Sequence, residues 1–249
     1  MLTIATFNIR YPEPRDGINF FPHRLPFILD KIRQEQPDII GFQELMQEPY
    51  EKLAGALPEY GFVGTGRGAD LGNESNRIAY RTDALELLAW GQFWLSPTPE
   101  EPGTRFPIQS ICPRICTWAR LRRKDTSREL LAVNTHLDHE QQDARARGLA
   151  LIFDRVAALT EGEEIPVFIT GDFNLTPEEE TYRLIWEAGY LDLTDGMQPT
   201  YHGFGKGTPV KIDYILTNYP ALFATGRWHQ CQDGIYLSDH DPVVCHIHN

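Results

Sequence analysis

Four short polar segments stand out because each follows, or nearly follows, a run of apolar residues typical of a β-strand. They are Gln43-Glu44, Asn134-Thr135-His136, Gly171-Asp172-Phe173-Asn174 and Ser238-Asp239-His240. Their functional groups are carboxylates, amides and imidazoles, and they can meet only if several strands deliver them to one rim of a sheet. Carboxylates gathered in this way need a cation, and a carboxylate paired with an imidazole suits the activation of water for attack on a phosphate.

Three oxygen-bearing side chains are candidates to hold that cation. Glu44 follows a buried-strand pattern, Asn8 ends the first strand, and Asp239 lies directly beside an imidazole. Carboxylate and amide oxygens are the groups that Mg²⁺ binds in proteins, usually with several waters retained. We therefore predict one cation near Asn8, Glu44 and Asp239, with open positions for a phosphate oxygen.

Two further carboxylates, one amide and two imidazoles are candidates for handling water and phosphate. Asp172 and Asn174 would fall on the same side of a strand, where they could hold a water; an Asx turn that caps the strand is the alternative. His136 ends another strand, and His240 stands beside the last strand. Asp213 could orient His240 as a carboxylate partner. This set of residues indicates a site that positions water and a phosphate group and neutralises the charge of the phosphate, rather than one that forms a covalent intermediate.

Strand-like and helix-like stretches mix along the chain without internal repeats. The strand-like runs cover 2–7, 38–42, 77–80, 86–88, 117–121, 130–133, 165–169, 211–216 and 242–246. Helical patterns cover 23–36, 49–56, 141–159 and 178–188, and the last follows Pro177, which together with three glutamates favours a helix start. Because some strands follow one another directly while helices separate others, we predict two packed sheets flanked by helices.

Length and composition fit one large α/β domain that spans residues 1–249. The net charge of −12 opposes long, sequence-independent contact with DNA. Four cysteines are too few for a disulfide scaffold. No basic start precedes a long apolar stretch, and no apolar run approaches the ~20 residues of a membrane helix. These features predict a cytoplasmic protein without a membrane span.

Three long loops rich in Gly or Pro lie between predicted strands, at 61–76, 96–113 and 200–209. Loops of this length in a compact domain more often carry function than disorder. We interpret them as walls of a substrate cleft, and simple surface excursions are the alternative. Arg105, Arg114 and Arg120 lie in or near the second loop and could form a small anion pocket, although each could also be ordinary surface charge.

The ordered set of motifs resembles the endonuclease/exonuclease/phosphatase superfamily, which holds DNase I, abasic-site endonucleases, inositol-polyphosphate 5-phosphatases, neutral sphingomyelinases and poly(A)-specific deadenylases. The motifs run from the first strand to the last and are Asn8, Gln43-Glu44, Asn134–His136, Gly171–Asn174, Ile212–Ile215 and Ser238–Pro242. Phe93–Ser96 and Thr117–Leu121 are similar to a bacterial branch of the superfamily. The resemblance implies an α/β fold, a four-layer α/β/β/α sandwich of two mainly antiparallel mixed sheets with the site at one end of both.

The resemblance also implies a role for each candidate residue. Glu44 would be the principal ligand of Mg²⁺, or of Mn²⁺, with Asn8 and Asp239 close to the ion. Asp172 would align or deprotonate the attacking water. Asn174 would hold that water or the phosphate.

The imidazoles take the remaining roles in this resemblance. His240, oriented by Asp213, would contact the scissile phosphate. His136 would donate to the phosphate or to the leaving group; abasic-site endonucleases use Tyr at this position. Glu74 resembles the Glu that supports this His in DNase I-like members.

Together these expectations point to a metal-dependent hydrolase that cleaves a phosphodiester or phosphomonoester by one in-line attack of water. The chain lacks a basic stripe with interleaved aromatic residues of the kind that single-strand binders use. The resemblance to the bacterial branch implies a phosphorylated small or modest-sized molecule as substrate rather than long duplex DNA. A nuclease or deadenylase that acts on short or single-stranded nucleic acid is the alternative. A catalytically silent member that only binds a phosphorylated partner is disfavoured, because binding alone needs neither Asp172 nor the Asp213–His240 pair.

Overall fold

The computed structural model describes residues 1–248 of the chain. Its strands are β1 (Leu2–Asn8), β2 (Ile39–Gln43), β3 (Tyr60–Val63), β4 (Ile78–Arg81), β5 (Leu85–Trp94), β6 (Ile115–Arg123), β7 (Glu129–His136), β8 (Val167–Asp172), β9 (Leu191–Asp192), β10 (Asp213–Thr217), β11 (Leu222–Arg227), β12 (Cys231–Gln232), β13 (Ile235–Tyr236) and β14 (Val243–His248). Its α-helices are α1 (Phe21–Glu35), α2 (Gln47–Ala56), α3 (Gln142–Leu159) and α4 (Arg183–Glu187), and 3₁₀ helices cover Pro14–Asn19 and Glu180–Tyr182. None of the helices in this part of the chain is long and apolar enough to span a membrane.

Most of the strands form two six-stranded sheets of matching construction. The first sheet has the order β11-β14-β1-β2-β4-β3, and the second has the order β5-β6-β7-β8-β10-β9. Each sheet has one parallel pair near its centre, β1 with β2 and β7 with β8. The other neighbours within these sheets run antiparallel. The prediction of two mainly antiparallel mixed sheets is therefore confirmed.

Three layers of buried apolar side chains join the sheets and helices. On β7, Leu130 and Ala132 face the layer between the two sheets, while Leu131 and Val133 face the layer under α3 and α4. Successive residues of a strand point to opposite faces, so this one strand contributes to both layers. The third layer lies between the first sheet and the helices α1 and α2. The order of layers is helix, sheet, sheet and helix, as predicted.

The boundaries of several predicted elements differ from those in the structure, most of all at one helix and one strand. The predicted helix at 178–188 is wrong at its start, because Glu179 has an extended backbone (ψ 141°) and uses its carboxylate locally. That carboxylate accepts from the N–H of Thr176 (3.0 Å) and pairs with Arg145 (2.6 Å). The strand predicted at 86–88 extends over Leu85–Trp94, with a bulge after Leu87. Five strands have no counterpart in the prediction. The strands β9, β12 and β13 have only two residues each, which give no periodic signal. The strands β3 and β11 were missed as well, and β3 occupies the start of the stretch 61–76 that was predicted as a loop.

Candidate functional site

The ends of strands from both sheets meet at one end of the molecule. In the parallel pairs, Asn8 of β1 lies opposite Gln43 of β2, and His136 of β7 lies opposite Asp172 of β8. Strand β10 runs antiparallel to β8 and begins at the same level, with Asp213 opposite Asp172. Nδ2 of Asn8 donates to Asp172 (3.0 Å), and this hydrogen bond crosses from one sheet to the other. The segment 239–241 leads into β14, whose start pairs with the end of β1.

A cleft of about 690 Å³ opens at this end. Seven of the nine predicted site residues line it, namely Glu44, Glu74, His136, Asp172, Asn174, Asp239 and His240. Asn8 and Asp213 are buried and hydrogen-bonded to residues of this set. The three loops predicted as walls contribute Arg67, Cys112 and Tyr201. The fold therefore brings all nine residues together from distant parts of the chain.

Asp172 is a buried acid with an unusual titration. Its Oδ2 accepts a hydrogen bond from Asn8, and the Nε2 atoms of His136 and His240 lie 3.5 and 3.7 Å from the same oxygen. Burial and then the negative charge of Asp213 raise the pKa of Asp172 to about 7, against the opposing influence of His240. A carboxylate with such a pKa can exchange protons with water near neutral pH.

His240 and Asp213 form a buried ion pair beside Asp172. Nδ1 of His240 lies 2.9 Å from Oδ2 of Asp213. Burial disfavours the charged imidazole, but the charge and hydrogen bond of Asp213 outweigh it, and the pKa of His240 lies well above its ordinary value. The ring of Tyr201 packs edge-on against the imidazole, with 5.0 Å between the ring centroids. His240 is therefore a cation held in one orientation at the cleft.

Two carboxylates of the cleft suit a divalent cation. Glu44 accepts hydrogen bonds from Nδ2 of Asn8 (3.1 Å) and from the N–H of Tyr11 (3.0 Å), which leaves lone pairs on both of its oxygens. Burial raises the pKa of Asp239. The charge of the adjacent His240 opposes this increase, and the nearby negative charge of Glu44 adds to it. Nε of Arg10 lies 3.9 Å from Asp239. Two neighbouring carboxylates with hard oxygen atoms are the donor set that Mg²⁺ or Mn²⁺ prefers.

Asn8 faces the carboxylates with its amide nitrogen. Its Nδ2 donates to both Glu44 and Asp172, while its Oδ1 accepts from the N–H of Arg10 (3.0 Å). In this orientation Asn8 holds the two acids side by side and turns its oxygen away from them. The role of Asn8 as a metal ligand stays a prediction, and it requires the amide to be rotated by half a turn.

A second group of potential metal ligands consists of Asp172, Asp213 and His240, whose donor atoms lie within 4.8 Å of one another. However, Asp213 and His240 already bind each other at 2.9 Å. An ion placed among these three groups would have to break that pair. Glu44 and Asp239 are therefore the better candidates for the metal, and the second group is better suited to proton transfer and phosphate binding.

Asn174 reaches the site through a turn. Strand β8 ends at Asp172, and Asn174 has a left-handed backbone with φ of 49°. Its N–H donates to Oδ1 of Asp172 (2.9 Å), which is the Asx turn that was the alternative reading of this motif. Both side chains line the cleft, as expected, but a turn brings Asn174 there, so the explanation by strand alternation is wrong. Glu44 also has a left-handed backbone (φ 58°), and such conformations in non-glycine residues concentrate at functional sites.

His136 lies in a positively charged corner of the cleft. Burial and then the charges of Arg114 and Arg67 lower the pKa of His136 well below its ordinary value, so its imidazole is neutral at neutral pH. Glu74 lines the same cleft, but its carboxylate pairs with Nη2 of Arg67 (2.7 Å). Within residues 1–248 no hydrogen bond joins Glu74 to His136, so the expected direct support of this imidazole by Glu74 is not seen.

The anion pocket suggested for three arginines of the Pro-rich region does not form as a group. Arg114 lines the cleft, whereas Arg105 donates to the carbonyl of Gln109 (3.3 Å). Arg120 pairs with Glu129 (2.7 Å) and with a second glutamate, away from the cleft. The guanidinium that lies near Arg114 is that of Arg67, from the Gly-rich loop.

A polar bridge behind the site joins the two sheets. Nε2 of Gln43 donates to Oδ1 of Asn134 (2.7 Å), and the hydroxyl of Thr170 donates to the same oxygen (3.1 Å). A Cβ atom at Gly41 would lie 2.1 Å from the Thr170 hydroxyl, so the side chains of Thr170 and Asn134 can pack against the backbone of β2 only because residue 41 is glycine. In the sequence, the only indication of this bridge is that Gln43 and Asn134 carry amide side chains within otherwise apolar strands.

Arg24 was not predicted, and it supports the site from α1. Its side chain is fully buried and donates to four backbone carbonyls, among them those of Ile9 (2.8 Å) and Leu237 (2.7 Å). These bonds tie the exit of β1 to the segment that carries Asp239. A single arginine in a helical pattern gives no signal for such a role, because its partners are distant in sequence.

Comparisons with known proteins agree with this architecture. A family model described as "Endonuclease/Exonuclease/phosphatase family" matches residues 5–240. The crystal structure of the endonuclease/exonuclease/phosphatase from Bacteroides vulgatus is 31% identical, with a TM-score of 0.92, and the match covers 99% of this chain and 98% of that one. The mannosyl-6-phosphatase of Bacteroides thetaiotaomicron is 28% identical, with a TM-score of 0.89 and complete coverage of both chains. TDP2 of D. rerio, complexed with a single-strand DNA product, shares the fold at 18% identity, with a TM-score of 0.74 and coverage of 100% and 99%. No match was found among curated protein sequences.

Proposed function

The chain belongs to the endonuclease/exonuclease/phosphatase family, and from this premise we propose that it is a Mg²⁺-dependent hydrolase of phosphate esters in small or modest-sized molecules. Members of the family are phosphoesterases and nucleases. The observation that carries the proposal is the arrangement of Asp172, with a pKa of about 7, between a neutral His136 and a charged His240. Such a set can deprotonate water and bind a phosphate at the same place.

The proposed reaction is one in-line displacement at phosphorus. Asp172 orients a water molecule and accepts its proton while the water oxygen forms a bond to phosphorus. The ester P–O bond on the opposite side breaks, and the departing alkoxide takes up one proton, which balances the proton that Asp172 accepts from the water. A divalent cation bound by Glu44 and Asp239 would supply Lewis-acid polarisation and charge neutralisation for the phosphate.

The two imidazoles have different proposed roles because their charges differ. His240, kept protonated by Asp213, donates from Nε2 to a nonbridging oxygen of the phosphate. His136 is neutral, so it can donate one hydrogen bond to the phosphate or to the leaving oxygen without adding positive charge. Asn174 lines the same cleft and is placed to hold the water or the phosphate.

The size of the cleft and the net charge of the chain favour a small substrate. Its volume of about 690 Å³ falls in the range of roughly 300–1,000 Å³ that holds small molecules. A net charge of −12 disfavours extended contact with nucleic acid. A similar bacterial structure, at 28% identity, is that of a mannosyl-6-phosphatase. Phosphorylated sugars are therefore the first compounds to test.

The test uses metal-stripped protein with p-nitrophenyl phosphate and bis-p-nitrophenyl phosphate. Hydrolysis should require added Mg²⁺ or Mn²⁺, stop with chelator, and fall by about 10²- to 10⁴-fold in Asp172→Asn. Asp38→Asn is the matched control, because Asp38 is a partly buried carboxylate just before β2, at the opposite end of the sheet, where it accepts from the N–H of Thr3 (2.8 Å). Equal activity in chelator, or an Asp172 variant as active as this control, would contradict the proposal.

A screen of natural compounds then separates the substrate classes. Sugar phosphates, phosphoinositides, phospholipid head groups and short oligonucleotides are offered at equal concentration with Mg²⁺. Release of phosphate from a sugar phosphate at the highest kcat/KM is the expected result. Oligonucleotide cleavage far above the rest would replace the proposal with a nuclease or deadenylase function.

A further inference from the structure

Arg114 is a buried cation that lines the cleft without a carboxylate partner of its own. It immediately precedes β6, and the register of Cys116 opposite Thr135 brings it to the end of the sheet that carries His136. Its side chain is almost fully buried (4% exposed), and Nη2 donates to Nδ1 of His139 (2.8 Å). Among residues 1–248, neither its Nε nor its Nη1 has a hydrogen-bond partner, and no carboxylate oxygen lies within 4.0 Å of it.

Arg67 brings a second guanidinium to the same corner. The indole N–H of Trp94 donates to the carbonyl of Arg67 (2.8 Å), which fixes this part of the loop. Nη2 of Arg67 pairs with Glu74 (2.7 Å), while its buried Nε has no partner in the described residues. After burial, the charge of Arg67 is the largest influence that lowers the pKa of Arg114, so the two like charges lie close together. This corner of the cleft therefore has one carboxylate, that of Glu74, for the two guanidinium groups of Arg67 and Arg114.

Arg24, a buried arginine with a structural role, differs from Arg114 in its hydrogen bonds. Arg24 is fully buried, and its three guanidinium nitrogens all donate to backbone carbonyls. Buried donors without partners are uncommon in folded proteins, and burial of an unpaired charge is strongly unfavourable. No anionic group of the described residues pairs with the charge of Arg114. Arg114 lines the cleft, where an anion from outside the protein can reach it.

The position of this charge identifies the anion. Arg114 and Arg67 both act electrostatically on His136, whose Nε2 lies 3.5 Å from Asp172. The unpaired charge is therefore close to the atoms proposed to act on the phosphate. A phosphomonoester carries close to two negative charges at neutral pH and has three terminal oxygens, whereas a diester has one charge and two nonbridging oxygens.

Building on the proposed function, we propose that Arg114, supported by Arg67, binds terminal oxygens of the phosphate that is hydrolysed and makes this enzyme prefer phosphomonoesters over phosphodiesters. The planar guanidinium suits this task, because two of its N–H groups can bind two phosphate oxygens at once. The reaction is balanced without another reactant. Water adds to phosphorus, the ester P–O bond breaks, and the products are inorganic phosphate and the alcohol.

The test compares kcat/KM for p-nitrophenyl phosphate and bis-p-nitrophenyl phosphate in wild type, Arg114→Gln and Arg114→Lys, all with Mg²⁺. Wild type should prefer the monoester. Arg114→Gln should lower monoester turnover by on the order of 10- to 100-fold and diester turnover by a clearly smaller factor, because it removes a charged hydrogen bond. Arg114→Lys should restore part of the preference, since it keeps the charge without the planar fork. Arg120→Gln is the matched control, because Arg120 lies in β6 and pairs with Glu129 away from the cleft.

A second measurement is independent of turnover of the monoester. Inorganic phosphate is used as an inhibitor of diester hydrolysis, and its inhibition constant should rise by on the order of 10-fold in Arg114→Gln and stay at the wild-type value in Arg120→Gln. If Arg114→Gln does not fold, Arg114→Lys and the substrate preference of wild type decide the question.

The outcomes distinguish two kinds of failure. Absence of metal-dependent hydrolysis of any phosphate ester by wild type would overturn the proposed function itself. Metal-dependent hydrolysis with a preference for the diester would overturn only the role of Arg114. Equal losses on both substrates in Arg114→Gln, with unchanged phosphate inhibition, would do the same.

Discussion

Replacement of Asp213 with Asn removes one negative charge from beside His240 while it keeps the size of the side chain and a hydrogen-bond acceptor. The two atoms of this pair are 2.9 Å apart and both side chains are buried. Two unit charges about 4 Å apart interact by about 4 kcal/mol at an effective dielectric constant near 20. The neutral amide retains part of the hydrogen bond, so roughly 2–3 kcal/mol of stabilisation of the charged imidazole should be lost. If the phosphate in the transition state requires that charge, kcat/KM should fall by about 30- to 150-fold.

The assay measures kcat/KM for p-nitrophenyl phosphate with saturating Mg²⁺ between about pH 5 and pH 9, together with the titration of His240 by NMR. Burial lowers the pKa of His240 and Asp213 raises it, so the variant should show this pKa shifted downward. Because the charged imidazole is the active form, the loss of activity at alkaline pH should begin at a lower pH in Asp213→Asn. Asp38→Asn, at the opposite end of the sheets, should behave as wild type. An unchanged alkaline limb with near-normal turnover would refute the role assigned to the pair.

Three further predictions concern the metal, the acid and the contact between the sheets. Glu44→Gln should raise the Mg²⁺ concentration needed for half-maximal activity by about 10- to 100-fold, measured by metal titration; an unchanged value would move the metal elsewhere. In metal-free protein, Asp172 has a folded-state pKa raised to about 7. Its stabilising contribution is therefore complete below its unfolded pKa of ~3.9 and is lost as the pH rises through about 7, so stability should fall over this window by up to about 4 kcal/mol more in wild type than in Asp172→Asn by denaturant titration. A parallel pH dependence in both proteins would contradict this. Gly41→Ala should destabilise the fold by about 1–3 kcal/mol, because its Cβ would lie 2.1 Å from the hydroxyl of Thr170; Gly55→Ala, on an exposed face of α2 with no atom within 4 Å, should be neutral or stabilising in the same thermal melt.

Residues at strand ends could be predicted from the sequence because their signal is local. An apolar run followed by a carboxylate or imidazole identifies the end of a buried strand, and this pattern found Glu44, His136 and Asp172. The pairing of Asp213 with His240 was also predicted, from an acid inside one strand pattern and an imidazole beside another, and the two side chains lie 2.9 Å apart. The layer order followed in the same way, from the mixture of directly connected strands and strands separated by helices.

The remaining parts of the site depend on contacts that no local pattern records. Asn174 is positioned by a left-handed turn, and strand periodicity gives the wrong account of it. Arg24 binds the carbonyl of Leu237, which is 213 residues away in sequence. The proximity of Arg67 and Arg114 arises because two loops close over the same end of the sheets. A basic residue in a loop sequence looks the same whether its charge is exposed to water or buried in a cleft.

Hydrolysis in oxygen-18 water is the most direct test of the proposed attack of water on phosphorus. The wild-type protein is given a sugar phosphate or p-nitrophenyl phosphate with Mg²⁺, and the products are analysed by mass spectrometry in parallel with a sample that contains chelator. The predicted result is one oxygen-18 atom in the released phosphate, none in the alcohol, and no reaction in the chelator sample. Label in the alcohol would show cleavage of the C–O bond, and equal hydrolysis in chelator would show that no metal is needed; either result would contradict the mechanism built on Asp172, Glu44 and His240.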